Sequence, residues 1–216
     1  MDNFRPLEID RDLDSPNKNI FPITAEIDEK GLLFVGGCQL SDLAKRYGTP
    51  LYVLDEASIR ASCQGYMQAL KKHYPGDSLP LYASKANSSL AMSSLIASEG
   101  FGLDAVSEGE LITALKGGVS SDRIVLHGNN KSARELQIAY ENAVTIVIDN
   151  YHDIELLDNI IKPGMPSANL MLRLTPGIEC HTHEYIKTGH LDSKFGFDPD
   201  QLEIVLKELK KFKWAK

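Results

Sequence analysis

From residue 79 onward, short apolar runs alternate with amphipathic stretches. The runs at 79–84 (LPLYAS), 101–106 (FGLDAV), 123–127 (RIVLH), 144–149 (VTIVID) and 168–175 (ANLMLRLT) have strand length and are apolar on both faces. Apolar residues at helical spacing cover 56–72, 88–99, 107–117, 131–142, 151–161 and 199–212. The first four strand starts recur at intervals of about 22 residues. Short strands that are apolar on both faces and alternate with helices predict an α/β fold with a buried parallel sheet. Two architectures satisfy the pattern, an open doubly wound sheet and a (β/α)8 TIM-type barrel. Five βα units follow residue 79, so a barrel would be incomplete in this chain.

The pattern upstream is weaker. Residues 1–30 are polar without a sustained period and read as an irregular extension. A strand is expected at Leu32–Val35, stopped by Gly36-Gly37. Ser41-Asp42 is expected to cap a short helix through Tyr47 that ends at Gly48, and a further strand is expected at Leu51–Leu54. In the last helix, Leu202, Val205, Leu206 and Leu209 form a packing stripe with lysines outside it.

Composition narrows the function classes. The chain has 216 residues, 43% of them hydrophobic, and a formal net charge of −7. That hydrophobic content excludes a disordered chain. The acidic balance argues against nucleic acid and against an anionic membrane surface as partners. No apolar run reaches the ~18 residues needed to span a bilayer, and the polar start is not a secretory signal. Three widely spaced cysteines, Cys38, Cys63 and Cys180, do not suggest a disulfide framework, so a cytoplasmic location is expected. No G-x-G-x-x-G follows the first strand, which removes support for a dinucleotide or P-loop site.

Several polar residues sit at the ends of the apolar runs. Alternation puts Leu81, Ala83 and Lys85 on one face, with Lys85 at the carboxyl end of its strand, where active sites of barrels lie. A partly desolvated lysine there would be a nucleophilic amine; otherwise it is a solvated loop residue. Asp104 shares a strand face with Gly102, and the glycine beside it would let a bulky group approach; alternatively Asp104 caps local backbone. Ser107-Glu108-Gly109-Glu110 reads as a capping box, S-x-x-E, with Glu110 as its carboxylate. Arg173 lies within the apolar run LMLRLT, so it must pair with a carboxylate such as Asp104 or Asp149, or face a wet cavity. His127, Asn129 and Asn130 end the third run and either donate to a ligand or satisfy turn backbone. Cys180, His181, His183 and His190 suggest zinc, but the spacing of a structural site is missing and no metal is expected.

Tyr82-Ala83-Ser84-Lys85-Ala86-Asn87 resembles the Schiff-base motif of the fold-type III pyridoxal-phosphate decarboxylases, and the chain is most similar to their diaminopimelate branch. Further segments resemble that family in the same order. They are Tyr47-Gly48-Thr49-Pro50-Leu51-Tyr52-Val53, Asp104-Ala105-Val106-Ser107-Glu108-Gly109-Glu110-Leu111, His127-Gly128-Asn129-Asn130-Lys131, Leu172-Arg173-Leu174-Thr175-Pro176-Gly177, and Thr188-Gly189-His190 with Ser193-Lys194-Phe195-Gly196. The resemblance covers about residues 32–200.

The resemblance implies the barrel rather than the open sheet. It implies pyridoxal 5'-phosphate held by Lys85, with Asp104 and Arg173 near the cofactor. It further implies decarboxylation of a small amino-acid substrate, meso-2,6-diaminopimelate, to L-lysine, in a protein that is a homodimer when full length. By resemblance, residues 1–50 are an extension and strand associated with a C-terminal β-domain absent here, and residues 51–216 are part of the cofactor-binding barrel. The family's glycine-rich phosphate segment, its ring-stacking histidine and its acidic partner of the pyridine nitrogen have no counterpart here, which suggests an N-terminal fragment inactive alone. Ornithine or arginine decarboxylation, a non-catalytic pyridoxal-phosphate-binding protein and a flavodoxin-like module with an incidental Lys85 are the rival readings.

Overall fold

A computed structural model of the chain describes residues 20–175 and 195–216. They fall into two compact units, one ending at Ser78 and the other running over Leu79–Lys216.

The first unit holds a small antiparallel sheet, β1 (Glu26–Ile27), β2 (Leu33–Val35) and β3 (Cys38–Gln39), followed by helices α1 (Leu40–Tyr47) and α2 (Glu56–His73). The stretch expected to be irregular up to residue 30 thus contains β1. Gly36-Gly37 does not simply stop a strand but turns it back into β3. Helix α1 starts after Gln39 without a side-chain cap, so Ser41-Asp42 does not cap it, although Gly48 ends it as expected. Leu51–Leu54 belongs to neither sheet: no described strand lies alongside to complete a ladder, and Tyr52 is 97% exposed. Asp55 knits this unit together. Its carboxylate accepts from the Ser58 N–H (3.0 Å) at the start of α2 and from the Thr24 hydroxyl (2.8 Å). Burial would raise its pKa, but the hydrogen bonds from Ser58 and Thr24 outweigh burial and hold it below the ordinary value.

The second unit is the predicted α/β layer. Five strands, β4 (Leu81–Ala83), β5 (Gly102–Ala105), β6 (Ile124–Leu126), β7 (Thr145–Ile148) and β8 (Leu170–Leu172), form one parallel sheet in sequence order. Helices α3 (Leu90–Ser98), α4 (Glu108–Lys116), α5 (Ala133–Glu141) and α6 (Tyr151–Ile160) connect them, and α7 (Leu202–Leu209) follows. Sequential order without a reversal is the winding of a barrel, not of a doubly wound sheet, whose strand order reverses at a switch point. The five units form part of a (β/α)8 barrel.

Alternation divides the sheet into two faces. Leu103, Ala105, Ile124, Leu126, Ile146 and Ile148 are each at most 1% exposed and pack with Leu111, Leu136 and Leu157 of the helices. The opposite face carries Leu81, Ala83, Gly102, Asp104, Val125, Val147 and Met171, which the parallel register brings into adjacent rows. Beyond β8, Leu174 pairs with Phe197, and Ala168 pairs with Ala215 near the end of the chain. In α7, Val205 and Leu209 are buried and Leu202 is half-buried, but Leu206 is 42% exposed, so the expected four-residue stripe narrows to three.

Candidate active site

Parallel strands bring the residues at and beyond their carboxyl ends to one edge of the sheet. At that edge stand Lys85 after β4, Asp104 near the end of β5, His127 after β6, Asp149 after β7 and Arg173 after β8. Continuing the register of Asp104 with Val125, and of Val147 with Met171, places the last four on the face away from the helices.

Lys85 does not continue the alternation of its strand. The strand stops at Ala83, and Ser84–Ala86 form a 3-10 turn that presents Lys85 as an exposed amine. Of the two alternatives read from the sequence, a desolvated amine or a solvated loop residue, the described residues present the second. The turn is fixed from below by Ser84, which is 1% exposed and donates its hydroxyl to the Asp104 carbonyl at 2.7 Å. Tyr82 steadies the other side through its hydroxyl, which donates to the Asn87 carbonyl at 3.2 Å; burial raises its pKa.

Among the described residues the Asp104 carboxylate caps no backbone. Its Oδ1 is buried without a hydrogen-bond partner among the described residues, and the nearest cation-forming group, His127 Nε2, lies 3.9 Å away. That distance permits electrostatic attraction but not a hydrogen bond. Burial raises the Asp104 pKa, opposed by His127, Lys85 and Arg173, while Glu110 reinforces the rise. Burial likewise lowers that of His127, which Asp104 and Asp149 oppose and Arg173 and Lys131 reinforce. Burial thus pulls both partners toward their neutral forms.

Gly102 serves packing rather than access. A Cβ there would stand 2.2 Å from the Arg123 carbonyl oxygen and 2.6 Å from Leu81 Cδ2, so the space expected for a bulky group is filled by the neighbouring strands.

Arg173 pairs with Asp149, the second of its two expected partners, with Nη1 3.0 Å from Oδ1. Asp149 is 2% exposed, and its Oδ2 also accepts from the Gly196 N–H at 3.2 Å. The guanidinium carbon lies 4.3 Å from the centre of the Phe195 ring, a cation–π contact. Gly196 makes that approach possible. Its φ is +71° and a Cβ would meet the Arg173 carbonyl oxygen at 2.8 Å, so only glycine fits.

Glu110 differs from the expected box. Ser107 accepts from the Glu110 N–H at 3.3 Å, but the Glu110 carboxylate accepts from Val106 N–H (2.7 Å), one residue before the cap. The full reciprocal box lies at Ser132 and Glu135, where the same S-x-x-E spacing marks the start of α5. Glu135 also accepts from the Glu108 N–H at 3.0 Å, tying the first turns of α4 and α5 together. Asn129 gives its carbonyl to Asn150 Nδ2 at 3.1 Å. Cys180, His181, His183 and His190 lie outside the described residues.

A cleft of about 560 Å³ in the first unit, lined by Thr24, Val35, Asp55 and Arg60 among others, is not the place where these ionisable groups converge. These groups lie instead at the carboxyl edge of the parallel sheet.

Residues 56–213 match the family described as "Pyridoxal-dependent decarboxylase, pyridoxal binding domain". The chain belongs to this family. Among its curated relatives, the diaminopimelate decarboxylase of Synechocystis sp. is 50% identical over 199 residues, covering 88% of this chain and 42% of that protein. The Bacillus subtilis diaminopimelate decarboxylase is 47% identical over 181 residues, covering 81% and 40%. Among solved structures, the diaminopimelate decarboxylase of M. jannaschii in complex with L-lysine superposes with a TM-score of 0.80 at 32% identity, over 89% of this chain and 46% of that one. The chain therefore spans about two fifths of the length of the curated relatives it matches.

Proposed function

We propose that this chain supplies the cofactor-anchoring part of a pyridoxal 5'-phosphate-dependent enzyme that decarboxylates meso-2,6-diaminopimelate to L-lysine. The observation that carries the reading is the gathering of an exposed lysine amine and an unpartnered, buried carboxylate oxygen at the carboxyl edge of a sheet with barrel winding. Identities of 50% and 47% to proteins named diaminopimelate decarboxylase support this substrate over ornithine or arginine.

The residues fit the cofactor. An aldehyde needs an accessible amine, which Lys85 offers from its 3-10 turn. Asp104 Oδ1 is an acceptor that nothing described satisfies, and buried acceptors are rarely left so without a partner to come. Arg173 brings a fixed positive charge held at one end by Asp149. In this reading Lys85 binds pyridoxal phosphate covalently, and Asp104 and Arg173 contact it. Pyridoxal phosphate, when bound, supplies an electron sink for the pair released as carbon dioxide leaves. The protein's share is to orient the substrate and to hold charge at the edge while the low-dielectric face behind Asp104 strengthens each contact.

The domain assignment belongs to the same proposal, with 51–216 as the cofactor-binding part and 1–50 as an extension that joins a further β-domain. So do a homodimeric state and a cytoplasmic location. The family resemblance supports all of these; the exposed apolar side chains of Tyr47, Tyr52 and Leu54 bear only on the further β-domain and the partner protomer.

The test is a chimera in which this chain replaces the matched segment of the Synechocystis enzyme. Release of carbon dioxide from meso-diaminopimelate, with none from L-ornithine or L-arginine and none after Lys85→Ala, supports the proposal. A folded chimera that is inactive on diaminopimelate, or one indifferent to Lys85→Ala, contradicts it.

A further inference from the structure

Lys131 and Asp153 form an ion pair, Nζ to Oδ2 at 2.8 Å, with each side chain 1% exposed. Burying two charges to gain stability is inefficient. The desolvation cost offsets the attraction, and apolar side chains of similar volume often do as well or better. The other hydrogen bonds of the pair indicate a different use.

Lys131 Nζ donates to the Gly128 carbonyl at 2.5 Å, closing the loop that follows β6 onto itself. Asp153 Oδ2 accepts from the Asp149 N–H at 2.9 Å, holding the turn between β7 and α6. Asn150, in that turn, accepts from the Asp153 N–H at 3.1 Å and donates Nδ2 to the Asn129 carbonyl at 3.1 Å. The ion pair is thus the central link between two adjacent loops at the carboxyl edge. His127 opens the first loop. Asp149 opens the second, and its carboxylate holds both Arg173 Nη1 and the Gly196 N–H.

We infer that the Lys131–Asp153 pair is a positioning device that fixes Asp149, and through it Arg173, against the cofactor edge. It clamps the Asp149 backbone so that one carboxylate oxygen faces Arg173 and the other faces Gly196. Neither Lys131 nor Asp153 is a catalytic residue. The role of Arg173 toward pyridoxal phosphate rests on the function proposed above, but the clamp itself does not.

The test uses the whole chain and the double variant K131M/D153L, which replaces the charges with apolar groups of similar size. A positioning role predicts an unfolding midpoint within a few degrees of the wild type. At the same time, Asp149 and Gly196 amide exchange rises by about tenfold or more, and Arg173 guanidinium NMR signals resolved in the wild type merge. Borohydride trapping of pyridoxal phosphate on Lys85, read by peptide mass at sub-saturating cofactor, falls severalfold. Should the double variant not fold, Asp153→Asn keeps the volume and is read at the same two amides, with the same direction expected. Unchanged exchange at Asp149 and Gly196 in a folded variant overturns the inference. So does a loss of protection spread evenly over the sheet, which marks a purely structural pair. A wild-type chain that traps no cofactor on Lys85 contradicts the proposed function instead, and the exchange comparison still decides the clamp.

Discussion

Replacing Gly102 with alanine forces a methyl group into a backbone carbonyl. The added Cβ would lie 2.2 Å from the Arg123 oxygen and 2.6 Å from Leu81 Cδ2. Ordinary carbon contacts with oxygen begin near ~3.3 Å, so roughly 1 Å of displacement is required. Leu81 is 36% exposed and can rotate aside. The Arg123 carbonyl cannot. It immediately precedes β6, and the Arg123 guanidinium donates back to the Gly100 carbonyl on the other side of Gly102. Overpacking typically costs about 1–3 kcal/mol, and a backbone obstacle puts this site near about 3 kcal/mol. For a unit of this size that lowers the thermal midpoint by roughly 10 °C. Urea unfolding followed by circular dichroism measures the cost directly. Because Asp104 is two residues along the same strand face, the displacement should also change the titration of His127. A Gly102→Ala chain within about 0.5 kcal/mol of the wild type, the scatter of ordinary surface substitutions, refutes this close packing of Gly102 against the Arg123 carbonyl.

Other perturbations isolate single contacts. Asp104→Asn removes the negative charge that opposes the lowering of the His127 pKa, so His127 should titrate at still lower pH by NMR. His127 is itself held below its ordinary value of 6.5. The unfolded chain therefore binds the proton first as pH falls, and stability should decline below pH 6.5 until the folded value is reached. His127→Gln should flatten that part of the stability profile. Ser84→Ala leaves the Asp104 carbonyl without its donor and should cost about 1–2 kcal/mol in urea unfolding. Ser132→Ala removes a cap worth about 1 kcal/mol, and Glu135→Ala should cost more because Glu135 also holds the Glu108 N–H.

The parallel layer was readable because its core residues obey one rule. Leu103, Ile124, Ile146 and their neighbours sit in short apolar runs flanked by helical spacing, and their burial against the helices leaves few competing arrangements. Composition and period could not separate a barrel from an open sheet; the motif around Lys85 did, and the strand order agrees. Arg173 was legible as a charge in an apolar run that needed a partner, but which carboxylate it takes depends on register between β7 and β8, which no local pattern encodes. Leu51–Leu54 misled for the converse reason. Its apolar letters state a preference for a strand, and a strand forms only where another edge offers its hydrogen bonds. Lys131 and Asp153 are 22 residues apart and look like ordinary surface charges, so nothing in their spacing announces a buried pair. The S-x-x-E signal at Ser132 was present in the sequence and equal in form to the one at Ser107, yet only Ser132 closes the full box.

In the proposed function Lys85 anchors pyridoxal phosphate at the carboxyl edge of the sheet. Incubating the chain with pyridoxal phosphate, reducing with borohydride and mapping the modified peptide by mass tests it most directly. A phosphopyridoxyl group is expected on the peptide containing Lys85, at cofactor concentrations that leave exposed lysines such as Lys71 and Lys72 unmodified, and it should be lost in Lys85→Ala. Labelling spread over surface lysines, with Lys85 no more modified than the rest, would contradict it.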